Sequence, residues 1–220
     1  MNAYRSIACA IGLAAISGVA SADSVDISFT RITSNSSQNV ESQFAVTATE
    51  VSGNSAVVDF IFRNNIGIQS SISEIYFDNG STSSLFASGS IVEQVGTQFN
   101  YGSASPGDLP GGNSMVDTFD VTSGFLADAQ GNPNKGLNGA DELVRFRFTF
   151  LGGMAFSDVV SALESDSLRI GFHVRSIGDD GNSDSFVSYM PENGAMVPLP
   201  SPMLLGAAGV GLVAGVRRRR

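Results

Sequence analysis

From Ser24 onward, apolar and polar residues alternate in short runs separated by glycine-rich polar breaks, a period of two that predicts half-buried strands. Val25, Ile27 and Phe29 alternate with Asp26 and Ser28 in the first run. Phe44 to Val51 and Val57 to Arg63 give two more strands with Gly53 and Asn54 as the turn, and Ile72 to Asp78 gives a fourth closed by Asn79-Gly80. A fifth strand is predicted over Ile91 to Tyr101. The most regular run is Leu143 to Leu151, with Val144, Phe146, Phe148 and Phe150 on one face and Arg145, Arg147 and Thr149 on the other. Burying each phenylalanine stabilises by roughly 1.5–3 kcal/mol, which fixes the register and predicts a central strand. Phe156, Val159, Val160 and Leu163 recur at helical spacing, so one short helix is predicted over Phe156 to Glu164, N-capped by Ser157 and packed over an end of the sheet. Leu168, Ile170, Phe172 and Val174 then alternate with Arg169, Gly171, His173 and Arg175, and a last strand is predicted over Ser185 to Met190. The expected fold is all-β: a two-layer antiparallel β-sandwich, jelly-roll or immunoglobulin-like, with one short helix.

Two polar segments interrupt this pattern. Ser103 to Asn113 carries two prolines and several glycines, and Asp128 to Asp141 is rich in Asn, Asp and Gly. Long loops on a rigid sheet are where a binding site is expected.

Both ends of the chain depart from the strand pattern. Residues 1–22 hold one cation, Arg5, an apolar run from Ile7 to Ile16 and the small residues Ala20-Ser21-Ala22, the layout of a secretory signal helix cut between Ala22 and Asp23. The body, 23–194, is followed by a proline-spaced hinge over 195–202, in which Pro198, Pro200 and Pro202 oppose helix and sheet. Residues 203–216 are uncharged and proline-free, a C-terminal hydrophobic helix of ~21 Å set against a hydrocarbon core of ~30 Å. Arg217, Arg218, Arg219 and Arg220 end the chain and are expected to stay cytoplasmic, which places the body outside the inner membrane.

The segment Val197, Pro198, Leu199, Pro200, Ser201, Pro202, followed by the apolar run and the four arginines, resembles the C-terminal sorting signal of PEP-CTERM proteins in its VPLPA-type variant. Leu199 stands where the commonest form has glutamate, and Ser201 where the variant has alanine. The body is similar to some PEP-CTERM proteins in the segments Ile75 to Gly80, Ser105 to Gly112, Leu168 to Val174 and Ser183 to Ser188. The resemblance implies export through the Sec route and brief anchoring by the tail. It further implies cleavage near the prolines by an exosortase-type membrane transpeptidase, and a final place at the cell surface or outside the cell, often in bacteria that make exopolysaccharide.

Charge narrows the partners. All 21 acidic residues lie in the body, whereas Arg5 and the tail arginines take five of the 12 basic ones, leaving the body at −14. Such a surface repels nucleic acid and anionic lipid headgroups. Cys9, inside the signal peptide, is the single cysteine, so the mature body has no disulfide, thiol nucleophile or thiolate metal ligand.

Candidate chemistry is sparse. His173 is the one histidine and shares a strand face with Arg169 and Arg175, which disfavour its protonated form; no serine sits in a G-x-S-x-G elbow. Gly209 to Ala214 spells a dinucleotide fingerprint but opens no βαβ unit, whereas Gly211 and Gly215 form a G-x-x-x-G suited to packing against another membrane helix. Asp180, Asn182 and Asp184 have the oxygen spacing that begins a calcium loop, without the glycine and the closing glutamate of an EF-hand. Asp128, Asn132, Asn134 and Asp141 form a second oxygen-rich set. No tryptophan is present, and Tyr76 and Tyr101 are the candidates for a sugar-stacking platform. The expected function is that of a non-enzymatic exported surface or matrix protein without a cofactor. The alternatives are a calcium-assisted module that binds exopolysaccharide and, behind it, a secreted hydrolase.

Overall fold

The computed structural model describes residues 22–129 and 132–191. Most of the expected signal peptide and the whole of the expected sorting segment, Val197 to Arg220, lie outside the described residues. Ten strands form: β1 (Ser24–Arg31), β2 (Phe44–Glu50), β3 (Val57–Asn64), β4 (Ser71–Asp78), β5 (Phe86–Val95), β6 (Asn100–Tyr101), β7 (Val121–Asp128), β8 (Leu143–Phe150), β9 (Ile170–Ile177) and β10 (Asn182–Tyr189). Two helices accompany them, α1 (Thr82–Leu85) and α2 (Phe156–Glu164). The chain is therefore all-β, with its strands in one nearly closed antiparallel sheet of order β5-β8-β3-β2-β1-β10-β9-β4-β7-β6.

The first strand holds this order together. Its first half pairs with β2, from Ser24 opposite Thr49 to Ile27 opposite Val46. Its second half changes partner and pairs with β10, from Ser28 opposite Tyr189 to Arg31 opposite Phe186. The two halves of the sheet thus fold over one another around β1, and their inner rings meet. Phe60 on β3 and Phe148 on β8 lie 5.4 and 4.7 Å from Phe77 on β4, and Phe62 lies 5.8 Å from Phe172 on β9. These separations suit edge-to-face aromatic packing, so the phenylalanines supply both the area and the orientation of the core.

The predicted run Leu143 to Leu151 becomes β8, flanked by β5 and β3, with Phe146 and Phe148 fully buried. On its other face Arg147 donates to both oxygens of Asp59, its Cα partner on β3, at 2.7 Å each, and Arg145 donates to Glu93 on β5 at 2.8 Å. The hydrogen bonds to Asp59 raise the proton affinity of Arg147 further. Outward polar residues therefore pair across the strands while the inward set packs.

Several elements differ from the sequence pattern, each for a local reason. The predicted fifth strand is split: β5 begins earlier, at Phe86, and Gly96, at φ 72°, turns the chain before the short β6. β7 is an unpredicted strand, because its sequence VTSGFLAD carries Gly124 at φ 82° and small polar residues in place of clean alternation. The last two strands run over Ile170–Ile177 and Asn182–Tyr189, shifted from the predicted limits. Helix α2 forms over the predicted residues, but Ala155 holds the N-cap position and Ser157 lies inside the helix; the Asp158 carboxylate accepts the Ala155 N–H at 2.8 Å. Phe156, Val159 and Leu163 enter the main core, so the helix plugs the sheet's interior.

Tyr76 and Tyr101, the candidates for sugar stacking, pack against the protein: Tyr76 is fully buried, and the half-buried ring of Tyr101 lies 5.8 Å from Phe146. Burial pushes both hydroxyls above the usual tyrosine range, and the carboxylates of Glu74, Asp128 and Asp108 add to the effect at Tyr76. A phenol that keeps its proton in the fold but loses it in the unfolded chain makes stability fall as pH rises past the unfolded value of about 10. Urea melts between pH 8 and 11.5 should therefore show stability constant at first and then declining by about 1.4 kcal/mol per pH unit for each of the two tyrosines. The Tyr101 hydroxyl is buried without a hydrogen-bond partner, so Tyr101→Phe should halve that slope at no hydrogen-bonding cost. A slope unchanged in the variant would contradict this assignment.

Candidate functional site

The outer face of β10, β9, β4 and β7 is not open to solvent, because the proline- and glycine-rich segment between β6 and β7 lies across it. Antiparallel register arranges this face in rows. One row reads Val187, Gly171, Tyr76 and Leu126, and the neighbouring row reads Ser185, His173, Glu74 and Asp128. Leu109 and Phe119 from the covering segment join Tyr76, Leu126 and Val187 in a second small core. Gly171 makes the approach possible: a Cβ there would stand 2.8 Å from Leu109 Cδ2 and 3.0 Å from Phe119 Cζ. The segment is pinned at three polar points. Tyr76 donates to the Pro106 carbonyl at 2.9 Å, the Ser105 N–H donates to Asp128 at 3.1 Å, and Arg169 donates to the carbonyls of Asp117 and Thr118.

Arg169 itself is held by Asp78, donating through Nε at 2.9 Å and through a second, shorter bond from its terminal nitrogen, and it lies over the Phe119 ring. Burial pushes the Asp78 carboxyl above the usual range, against the opposing pull of the Gly80 N–H and Arg169. The two effects meet at a pair whose side chains are 3% and 9% exposed. Arg169 is thus a clamp between sheet and cover, and only Arg175 of the two predicted arginine neighbours stays near His173.

The polar row is the place where chemistry would be sought. His173 Nδ1 lies 2.8 Å from Glu74 Oε2, and Arg175 lies 3.8 Å from the other oxygen. The short distance does not come with hydrogen-bond alignment, since neither carboxylate oxygen nor Nδ1 has a directed partner. Ser185, the Cα partner of His173 on the opposite side, is 1% exposed and its Oγ likewise has no partner. Serine, histidine and glutamate thus stand side by side on three strands, a juxtaposition that sequence spacing cannot show. The serine is buried and its hydroxyl makes no hydrogen bond to the imidazole.

The predicted calcium residues answer protein donors. Asp184, 1% exposed, accepts from Thr33 Oγ1 and the Asn35 N–H at 2.7 Å and from the Ser36 N–H at 3.1 Å, with Arg31 3.5 Å away. Asp180 accepts from Ser37 Oγ at 2.7 Å, and the Asn182 amide donates to the Asn35 carbonyl. In the second set, Asn132 accepts the Asn134 N–H at 3.0 Å and Asp128 faces Ser105. Among the described residues no group of three or more His, Cys, Asp or Glu side chains is gathered to hold a metal.

An open cavity lies at the other end of β10, where β1 changes partner. It measures about 500 Å³ and is lined by Asp26, Ile27, Ser28 and Phe29 of β1, Glu41, Ser42, Phe44, Ala45 and Val46 around the start of β2, and Tyr189. No periodicity marks it, because it results from a fork between two ladders. No family model matches the chain, and no curated protein and no solved structure shows a significant match to it.

Proposed function

We propose that this chain is an exported, non-enzymatic β-sandwich protein that a C-terminal PEP-CTERM-type signal presents to an exosortase-type transpeptidase, which leaves it at the cell surface or in the extracellular matrix. The two halves of the sheet are read as the two layers of a jelly-roll or immunoglobulin-like sandwich. The observation that carries the proposal is the placement of the fold between its two expected processing sites. β1 begins at Ser24, just after the expected cut between Ala22 and Asp23, and β10 ends at Tyr189, just before the hinge. Because β1 and β10 are antiparallel neighbours, with Ser28 opposite Tyr189, the entry to β1 and the exit from β10 lie at the same end of the sheet. A domain held by one end and released by cutting near that end has this layout.

Intact-mass and C-terminal sequencing of the protein from its native host is the test. The expected product starts at Asp23 and ends within the hinge between 195 and 202. A protein that retains both Met1 and Arg220 would overturn the proposal.

A further inference from the structure

The fork between β1 and its two partners opens a groove. The β1–β2 ladder stops at Ile27 and Val46, while Ser28 to Arg31 continue with β10 on the opposite edge, so β2 and β1 diverge and leave an opening of about 500 Å³. That volume is in the range of small-molecule sites. Phe44 forms a half-buried aromatic wall, steadied edge-on by Phe29 at 6.1 Å, and Tyr189 stands at the rim with 43% of its surface exposed. Two carboxylates flank the rings, each fixed by one oxygen. Asp26 accepts from Thr47 Oγ1 at 2.8 Å, and Glu41 accepts the Arg31 N–H that the departing β2 leaves unanswered. Asp26, Glu41, Ser28 and Ser42 line the opening together.

We infer that this groove binds a neutral polyhydroxylated chain, a glycan, by stacking sugar rings on Tyr189 and Phe44 while Asp26 and Glu41 accept their hydroxyl hydrogens. Charge selects the class: the lining holds two carboxylates and no cation, and the body carries −14, so anionic polymers are repelled. Chemistry selects it further, because a row of hydroxyls both donates to the carboxylates and accepts from the serines, while each sugar's apolar face meets an aromatic ring. No metal takes part. The inference rests on the proposed location outside the cell, where such polymers are met, but its test does not depend on how the protein arrives there.

Purified full-length chain in detergent is titrated calorimetrically with cellohexaose, laminarihexaose and maltohexaose, with polygalacturonate and a glycine-serine peptide as controls. At least one neutral hexasaccharide should bind, with and without a chelator. Tyr189→Ala should weaken it at least tenfold, and Asp26→Asn with Glu41→Gln, which retain the Thr47 and Arg31 contacts, should do the same while thermal melts stay unchanged. Binding of no neutral hexasaccharide, preference for polygalacturonate or the peptide, or equal binding by the variants would overturn the inference. Failure here with correct processing in the host would leave the export proposal standing, and the reverse result would sink only that proposal.

Discussion

Phe148→Ala is expected to destabilise the domain by about 3–5 kcal/mol, at the top of the range for a single core truncation. Phe148 is fully buried on β8 and meets six other aromatic rings: Phe60, Phe77, Phe86, Tyr101, Phe125 and Phe146, at centroid distances from 4.7 to 6.4 Å. These neighbours come from both halves of the sheet and are themselves fixed by their strands, so the space left by the ring cannot collapse. Urea denaturation should show a lower midpoint with an unchanged m-value. Phe148→Leu, which keeps most of the volume, should cost well under half as much. A loss below about 1 kcal/mol for the alanine variant would mean that the two halves do not pack through this ring.

Asp78→Ala is expected to cost about as much, about 3–5 kcal/mol, by a different route. It leaves the Arg169 guanidinium, 9% exposed, with only the solvent-exposed Asp117 carboxylate 3.4 Å away, and it also removes the acceptor of the Gly80 N–H. Because Arg169 also holds the carbonyls of Asp117 and Thr118, the covering segment should loosen together with the pair. Limited proteolysis should then cut first between residues 102 and 120, well before the strands. Replacing both partners, as Asp78→Leu with Arg169→Met, should recover part of the loss, since the unpaired charge is gone, but not the protection of the segment. If the single and double variants lost equal stability, stranded charge would not be the cause.

How much of this was legible beforehand follows from which side of a strand the signal came from. β3, β8 and β9 are legible from alternation because phenylalanines line the inner faces of β3 and β8, and Ile170, Phe172 and Val174 that of β9. β7 and the cover over the outer face are not. The buried residues Leu109 and Phe119 sit singly among Gly, Pro and Ser and carry no period, and all eight residues of β4 are buried because that cover is in place. The acidic neighbour of His173 has no sequence signal for a related reason. Sequence offered Arg169 and Arg175 on its own strand, whereas Glu74, almost one hundred positions away, is brought alongside by the β4–β9 register. The carboxylates of Asp180 and Asp184 accept from the turn after Arg31, partners that the i, i+2, i+4 spacing does not reveal. The groove had no linear signature at all, since it depends on where one ladder ends and another begins.

The double pairing of β1 has a consequence for synthesis. Ser28 and Tyr189 stand 161 positions apart, so the earliest strand made is completed by the latest. Contacts of such long range form slowly, and until β10 emerges the seam between the two half-sheets stays unzipped. The two half-sheets therefore cannot close over one another while the last strand is still on the ribosome.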